Sequence, residues 1–135
     1  MGGLERALAV PVGGPDWLGR VRPALEELTE DFDEHIEVTE GPGGLHQAIM
    51  DGDLRLANAV IRLAEEHALI RSEIAALATA AQTWDVGEDQ TGVDADRARL
   101  LRERANALLG QLVRHRQRGA DLIYDAYETD IGGET

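Results

Sequence analysis

Apolar residues recur at intervals of three and four along three long segments of this chain. The segments are residues 16–38, 53–83 and 94–127. That spacing places the apolar side chains on one face of an α-helix. A loop rich in glycine and proline at 11–15 precedes the first segment. Loops rich in glycine, proline or polar residues at 41–44 and 85–92 separate the segments from one another. The pattern predicts three long helices, with a short helix at about residues 45–50 between the first two.

Each predicted helix has one apolar stripe, and a histidine occupies a slot in every stripe. The first stripe is Leu18, Val21, Leu25, Leu28, Phe32 and His35. The second is Leu56, Val60, Leu63, His67, Ile70, Ile74, Leu77 and Ala81. The third is Ala98, Leu101, Ala105, Leu108, Leu112, His115, Gly119, Leu122 and Ala126. Long helices with short connections predict an all-α, up-down helical bundle that is similar to a four-helix bundle.

Local signals set the expected limits of the bundle. Asp53 is placed to cap the second long helix. Pro23 lies inside the first helix, which either kinks there or begins its regular part there. The expected divisions are a flexible N-terminal tail at residues 1–15, the bundle at 16–131 and a C-terminal tail at 132–135.

Composition narrows the chemistry. The chain has 135 residues and a net charge of −13, with 26 acidic residues against 13 basic ones. All the basic residues are arginine, cysteine is absent and serine occurs once, at Ser72. These counts exclude disulfides, thiolate metal sites and lysine Schiff bases, and they argue against a serine hydrolase. The negative charge would repel nucleic acids and anionic membranes.

No targeting or membrane-spanning segment is visible, so we expect a cytoplasmic protein. The remaining chemical groups are four histidines, many carboxylates and two tyrosines. From these we predict no catalytic residues and no site for an organic cofactor.

The histidines are the main candidates for chemistry. His35, His67 and His115 occupy core-facing slots in three different helices. Imidazole is the commonest neutral metal ligand, and metal sites of this kind are built in bundle cores. Three such nitrogens would suit a first-row divalent metal, with Glu40 as the carboxylate that completes the shell. His46 is a candidate fourth ligand, or else an exposed or capping histidine.

Two expectations concern how the helices lie together. His35 is near the end of its helix, so it reaches the level of His67 only if residues 39–52 return along the bundle. Residues 26–40 carry eight acids and no arginine, whereas residues 97–118 carry seven arginines and one acid. We therefore expect the acidic first helix to face the basic third helix.

Three segments resemble the hemerythrin-like (HHE) helical bundles, in a divergent actinobacterial form: FDEHIEVTEGPGGLHQAI, RLAEEHALIRSEI and LVRHRQRGADLIYDAYETDIGG. The resemblance covers about residues 16–133. Members of that family hold two irons between four helices with histidines and bridging carboxylates, and they bind or respond to oxygen, nitric oxide or redox state. The resemblance places His35, His67 and His115 on histidine positions of the family.

This chain departs from the family pattern after each histidine. The family places a second ligand four or five residues further on, where this chain has Thr39, Arg71 and Gly119 at the fourth position. Only Glu40, at the fifth position after His35, is a carboxylate. We therefore expect one metal, iron or another divalent transition metal, or no metal at all.

Two other functions stay open. A metal-free acidic interaction module would pack the histidines in its core and form a dimer or bind a protein partner. Its seam would consist of residues beside the main stripes, namely Leu69, Leu100, Leu109 and Ile123. A DinB-like metalloenzyme would also bring three histidines to one metal, although no residue identifies a substrate.

Overall fold

The computed structural model describes residues 2–8, 17–83 and 92–128, and all the regular structure in these ranges is helical. The helices are α1 (Gly2–Leu8), α2 (Trp17–Glu40), α3 (Leu45–Gly52), α4 (Ala57–Thr83) and α5 (Gly92–Ile123). A 3-10 turn (Leu54–Leu56) leads into α4, and a π-helical turn (Tyr124–Glu128) follows α5. The three long helices pack antiparallel, which confirms the predicted all-α bundle.

Local signals account for the course of α2 and for the start of α4. α2 begins at Trp17 and continues through Pro23, so the alternative in which its regular part starts at Pro23 is wrong. Gly19, whose carbonyl loses its helical N–H donor, is exposed and can bond to water instead. Asp53 caps the turn before α4, as predicted, by accepting a hydrogen bond of 3.0 Å from the backbone N–H of Arg55.

The interior consists of two apolar cores at opposite ends of the bundle. The larger core joins α1, most of α2, the second half of α4 and the first half of α5. The smaller core contains Ile49, Val60, Leu63, Leu122 and Ala126. The predicted stripe on α4 is buried at every position from Val60 to Ala81. The three histidines of the stripes lie between these two cores.

The short helix α3 brings the chain back along the bundle. Its Ile49 packs with Val60 near the start of α4, while its His46 reaches the ring of His67 seven residues further along α4. This confirms that the connection after α2 returns beside α4, and it brings His35 and His67 to one level, with ring centroids 4.9 Å apart.

A helix occupies part of the segment that the sequence predicts as an N-terminal tail. Residues 2–8 form α1, and its Leu4, Ala7 and Leu8 are buried in the larger core against α2 and α5. The 3–4 spacing of these three side chains gives even this short helix an apolar face. The limits of the predicted domain itself stay a prediction, since residues 9–16 and 129–135 lie outside the described ranges.

The ion pairs between long helices in the described residues involve α4, and the expectation that the acidic helix faces the basic one stays a prediction. α4 packs closely against both α2 and α5, whereas α2 meets α5 through side chains such as the rings of Phe32 and His115. Arg71 of α4 pairs with Asp33 of α2 at 2.5 Å. Arg104 of α5 pairs with Glu73 of α4 at 3.1 Å. Over the same described ranges, no helix is long and apolar enough to cross a membrane.

Candidate metal centre

The three stripe histidines meet in one cluster, each from a different long helix. The ring centroids of His67 and His115 are 4.7 Å apart, and the ring of His35 lies 4.9 Å from the first and 5.6 Å from the second. His67 and His115 are buried, whereas His35 keeps an exposed side. The stripe spacing therefore brings the predicted residues together, although it does not predict the exposure of His35.

One nitrogen from each of the three rings can point to a common centre. These nitrogens all lie within 4.8 Å of one another. Nitrogens that bind one zinc tetrahedrally at about 2.0–2.1 Å are separated by about 3.3 Å. Ring rotations that bring these nitrogens closer together by at most about 1.5 Å would therefore complete a three-nitrogen site. Among the described residues, these three histidines are the one group of three or more histidines or carboxylates close enough together to bind a metal ion.

Glu40 reaches the cluster by bonding to a histidine of another helix. Its Oε2 lies 2.6 Å from Nδ1 of His67, whose side chain is only 2% exposed. A carboxylate at Nδ1 favours the tautomer with hydrogen on that nitrogen, which leaves Nε2 free for a metal. Glu40 is not in the three-residue group itself. The geometry makes it an outer partner of His67, and its predicted direct ligation stays a prediction.

Glu66 stands in the corresponding position beside His115. Its Oε2 lies 3.5 Å from Nδ1 of His115, and within the described structure both atoms are buried without a hydrogen-bond partner. The other oxygen of Glu66 accepts a hydrogen bond from Arg118. A small shift of the His115 ring would close the 3.5 Å gap. Two of the three rings thus have a carboxylate near Nδ1, which leaves Nε2 as the nitrogen available to a metal.

Aromatic rings enclose the cluster on two sides. Phe32, the one phenylalanine of the chain, lies 5.7 Å from the rings of His35 and His67 and 6.1 Å from that of His115. His46 is 7% exposed and stacks on His67 at 5.5 Å with an interplanar angle of 5°. The expectation of an exposed His46 is therefore wrong, because α3 packs its ring inward. His46 is also not in the three-residue group.

The surroundings of His35 and His115 favour the neutral imidazole, the form that binds metals. The partial burial of His35 in the cluster lowers its pKa, and the neighbouring histidines lower it further. Burial likewise lowers the pKa of His115, and the charge of His67 adds to the effect, although Glu66 opposes it. A metal would therefore compete with fewer protons at these rings at neutral pH.

Thr39 and Gly119, one turn after His35 and His115, line a cavity beside the cluster. Thr39 is buried and donates a hydrogen bond of 2.8 Å to the carbonyl of His35. Arg71 turns away from the cluster to pair with Asp33. Gly119 lines, together with Thr39 and the three histidines, a cavity of about 460 Å³. The space beyond the cluster is therefore mainly apolar and holds no second group of metal ligands among the described residues.

No family of known proteins, no curated protein and no solved structure matches this chain. The candidate centre is therefore defined by its own geometry. The sequence identifies His35, His67, His115 and Glu40, but not the role of Glu66. Glu66 directly precedes His67 in the sequence. Because successive residues of an α-helix are about 100° apart around its axis, Glu66 points away from the stripe of α4 and towards α5.

Proposed function

We propose that this bundle binds one first-row divalent transition metal through His35, His67 and His115, and that the metal presents an open position to a small ligand. The observation that carries the proposal is the position of a carboxylate at Nδ1 of two of these rings: Glu40 is hydrogen-bonded to His67, and Glu66 lies 3.5 Å from His115. Such partners fix the ring orientation and raise the basicity of metal-binding histidines.

The proposed ion is iron, and its proposed role is the binding or sensing of oxygen or another redox-active ligand. Both follow from the resemblance to hemerythrin-like bundles. The ion is single because Thr39 and Gly119 supply neither imidazole nor carboxylate where a second ion would need them. With three protein nitrogens, the metal retains positions for exchangeable ligands.

The test is metal binding by the untagged protein. Metal-free chain is titrated with Co(II), Fe(II) and Zn(II), and the bound metal is counted by mass spectrometry and by the visible spectrum of the Co(II) form. We expect one metal per chain, with loss of binding in His67→Ala and in His115→Ala. Folded wild-type protein that takes up none of these ions would refute the proposal.

A matched variant separates loss of a ligand from loss of packing. Leu77→Ala removes a fully buried side chain from α4, the helix of His67, in the larger core away from the cluster. It is expected to lower the free energy of unfolding by about 2–5 kcal/mol. It should nevertheless bind one metal per chain while folded, as judged by circular dichroism. If Leu77→Ala loses metal as completely as His67→Ala, the effect of the histidine is structural.

A second candidate function is an acidic interaction module that forms a dimer or binds a protein partner. The supporting observation is the exposure of two residues of the predicted seam, Leu69 at 72% and Leu100 at 58%. Ile123 is exposed as well, whereas Leu109 packs against the larger core. Sedimentation of the purified chain tests this function, because a strict monomer at high concentration would argue against a self-complementary seam.

A further inference from the structure

The cavity beside the histidine cluster has two chemically different ends. Its volume of about 460 Å³ falls within the range of roughly 300–1,000 Å³ that is typical of small-molecule sites. One end is formed by the three histidines of the candidate metal centre. The other, on the side of the smaller core, is formed by the apolar side chains Leu45, Leu63, Leu122 and Ile123.

The charge of the cavity is opposite to that of the whole chain. The protein has twice as many acidic residues as basic ones, 26 against 13, yet no carboxylate is among the described residues that line this cavity. The charged side chain in the described lining is Arg116, which is exposed and forms no ion pair in the described parts of the chain. A divalent metal on three neutral imidazoles would add two positive charges, which exceed the outer negative charge of Glu40 at His67, since Glu66 is already paired with Arg118. An anionic ligand is therefore favoured at the histidine end.

The apolar end has room for a hydrocarbon chain. Leu63 and Leu122 belong to the smaller core and reach the cavity from α4 and α5. Gly119 lies between them and the cluster, and a Cβ atom built on it would meet no other atom within 4 Å. A ligand can therefore lie against the backbone of α5 at this point, where any larger residue would occupy the space.

We propose that the cavity binds a monocarboxylate with an apolar hydrocarbon body. The carboxylate coordinates the metal held by His35, His67 and His115, and the hydrocarbon packs against Leu63 and Leu122. Arg116 attracts the anion at the cavity without reaching the metal. This inference rests on the proposed metal site, because that site supplies the ligand's point of attachment.

The experiment uses Co(II)-loaded protein and a series of simple acids. Octanoate is titrated in, and binding is followed by the change in the visible Co(II) spectrum and by calorimetry. Hexanoate and butyrate should bind progressively more weakly, by up to about fourfold for each methylene removed. Octanol, which has the hydrocarbon but no carboxylate, should bind more than about tenfold more weakly than octanoate.

Three variants locate the ligand within the cavity. Gly119→Leu should abolish octanoate binding while Co(II) still binds, because the new side chain fills the apolar end. Arg116→Gln should weaken octanoate binding by about twofold to fivefold. Arg114→Gln, on the same helix but beside a different groove, is the matched control and should leave it unchanged. Circular dichroism reports whether Gly119→Leu folds, and the acid series tests the proposal without any variant.

The possible results separate the two proposals. Co(II) binding with no spectral or calorimetric response to octanoate would refute the cavity ligand and leave the metal site standing. Equal affinity for octanoate and octanol, or no dependence on chain length, would likewise refute it. Failure to bind Co(II), Fe(II) or Zn(II) would refute the metal site, and the cavity ligand with it.

Discussion

Replacing Glu40 with glutamine should weaken metal binding by about tenfold. The Glu40 oxygen lies 2.6 Å from Nδ1 of His67, and its side chain is 32% exposed. A hydrogen bond to a charged group contributes about 1.5–3 kcal/mol, and partial exposure places this one near the lower limit. About 1.4 kcal/mol corresponds to the tenfold change, which agrees with the effect of outer partners of metal-binding histidines. Glutamine keeps the size of the side chain but removes the charge that makes the imidazole more basic.

The assay is competition between the protein and a chelator of known affinity for Zn(II) or Co(II). Glu37→Gln is the matched control, since Glu37 is exposed on α2 one turn before Glu40 and its replacement removes the same charge. The control should change the dissociation constant by less than about twofold, as expected for an exposed charge. Equal dissociation constants for wild type and Glu40→Gln would refute the assignment of Glu40 as partner of a metal-bound His67.

Three further predictions concern stability. Gly119→Ala should raise the free energy of unfolding in urea by about 0.5–1 kcal/mol, because α5 gains a better helix former and the new methyl group meets no atom. Gly41→Ala should lower the free energy of unfolding, since the added Cβ would collide with a backbone carbonyl of α2. The two substitutions should therefore change stability in opposite directions, and changes of the same sign would contradict this reasoning. Burial lowers the pKa of His35, His46 and His115, so the unfolded chain takes up protons first as pH falls. The metal-free protein should therefore unfold at lower urea concentration once pH drops below about 6.5, and a midpoint that stays constant or rises would contradict this sign.

The sequence predicts which residues of each helix face the interior, but it does not predict which neighbouring elements pack over those residues. The spacing of three and four identifies the buried side of each long helix, because one helical face is the only surface such a pattern can form. His67 and His115 are buried as expected. His35 occupies an equivalent slot but remains exposed, because the adjoining space is a cavity instead of a fourth long helix. A one-dimensional pattern contains no information about that neighbour.

The pairing of carboxylates with histidines could not be predicted from distance along the chain. Glu40 is five residues from His35 but bonds to His67, which is 27 residues away. Glu66 is adjacent to His67 but faces His115 of α5. Both contacts depend on how far each helix is rotated about its axis relative to its neighbour. That rotation is set by the packing of whole helix faces, so it emerges only in the folded bundle.

The unpaired atoms at His115 connect the stability of the fold to its proposed function. Buried polar atoms without partners cost free energy, and native proteins contain few of them. Nδ1 of His115 and Oε2 of Glu66 are two such atoms, 3.5 Å apart, at the level between the two apolar cores. A metal on Nε2 would hold the ring with hydrogen on Nδ1 and direct it to Glu66. The same ion would thus bind the three histidines and give the unpaired polar atoms between the two apolar cores a hydrogen-bonded arrangement.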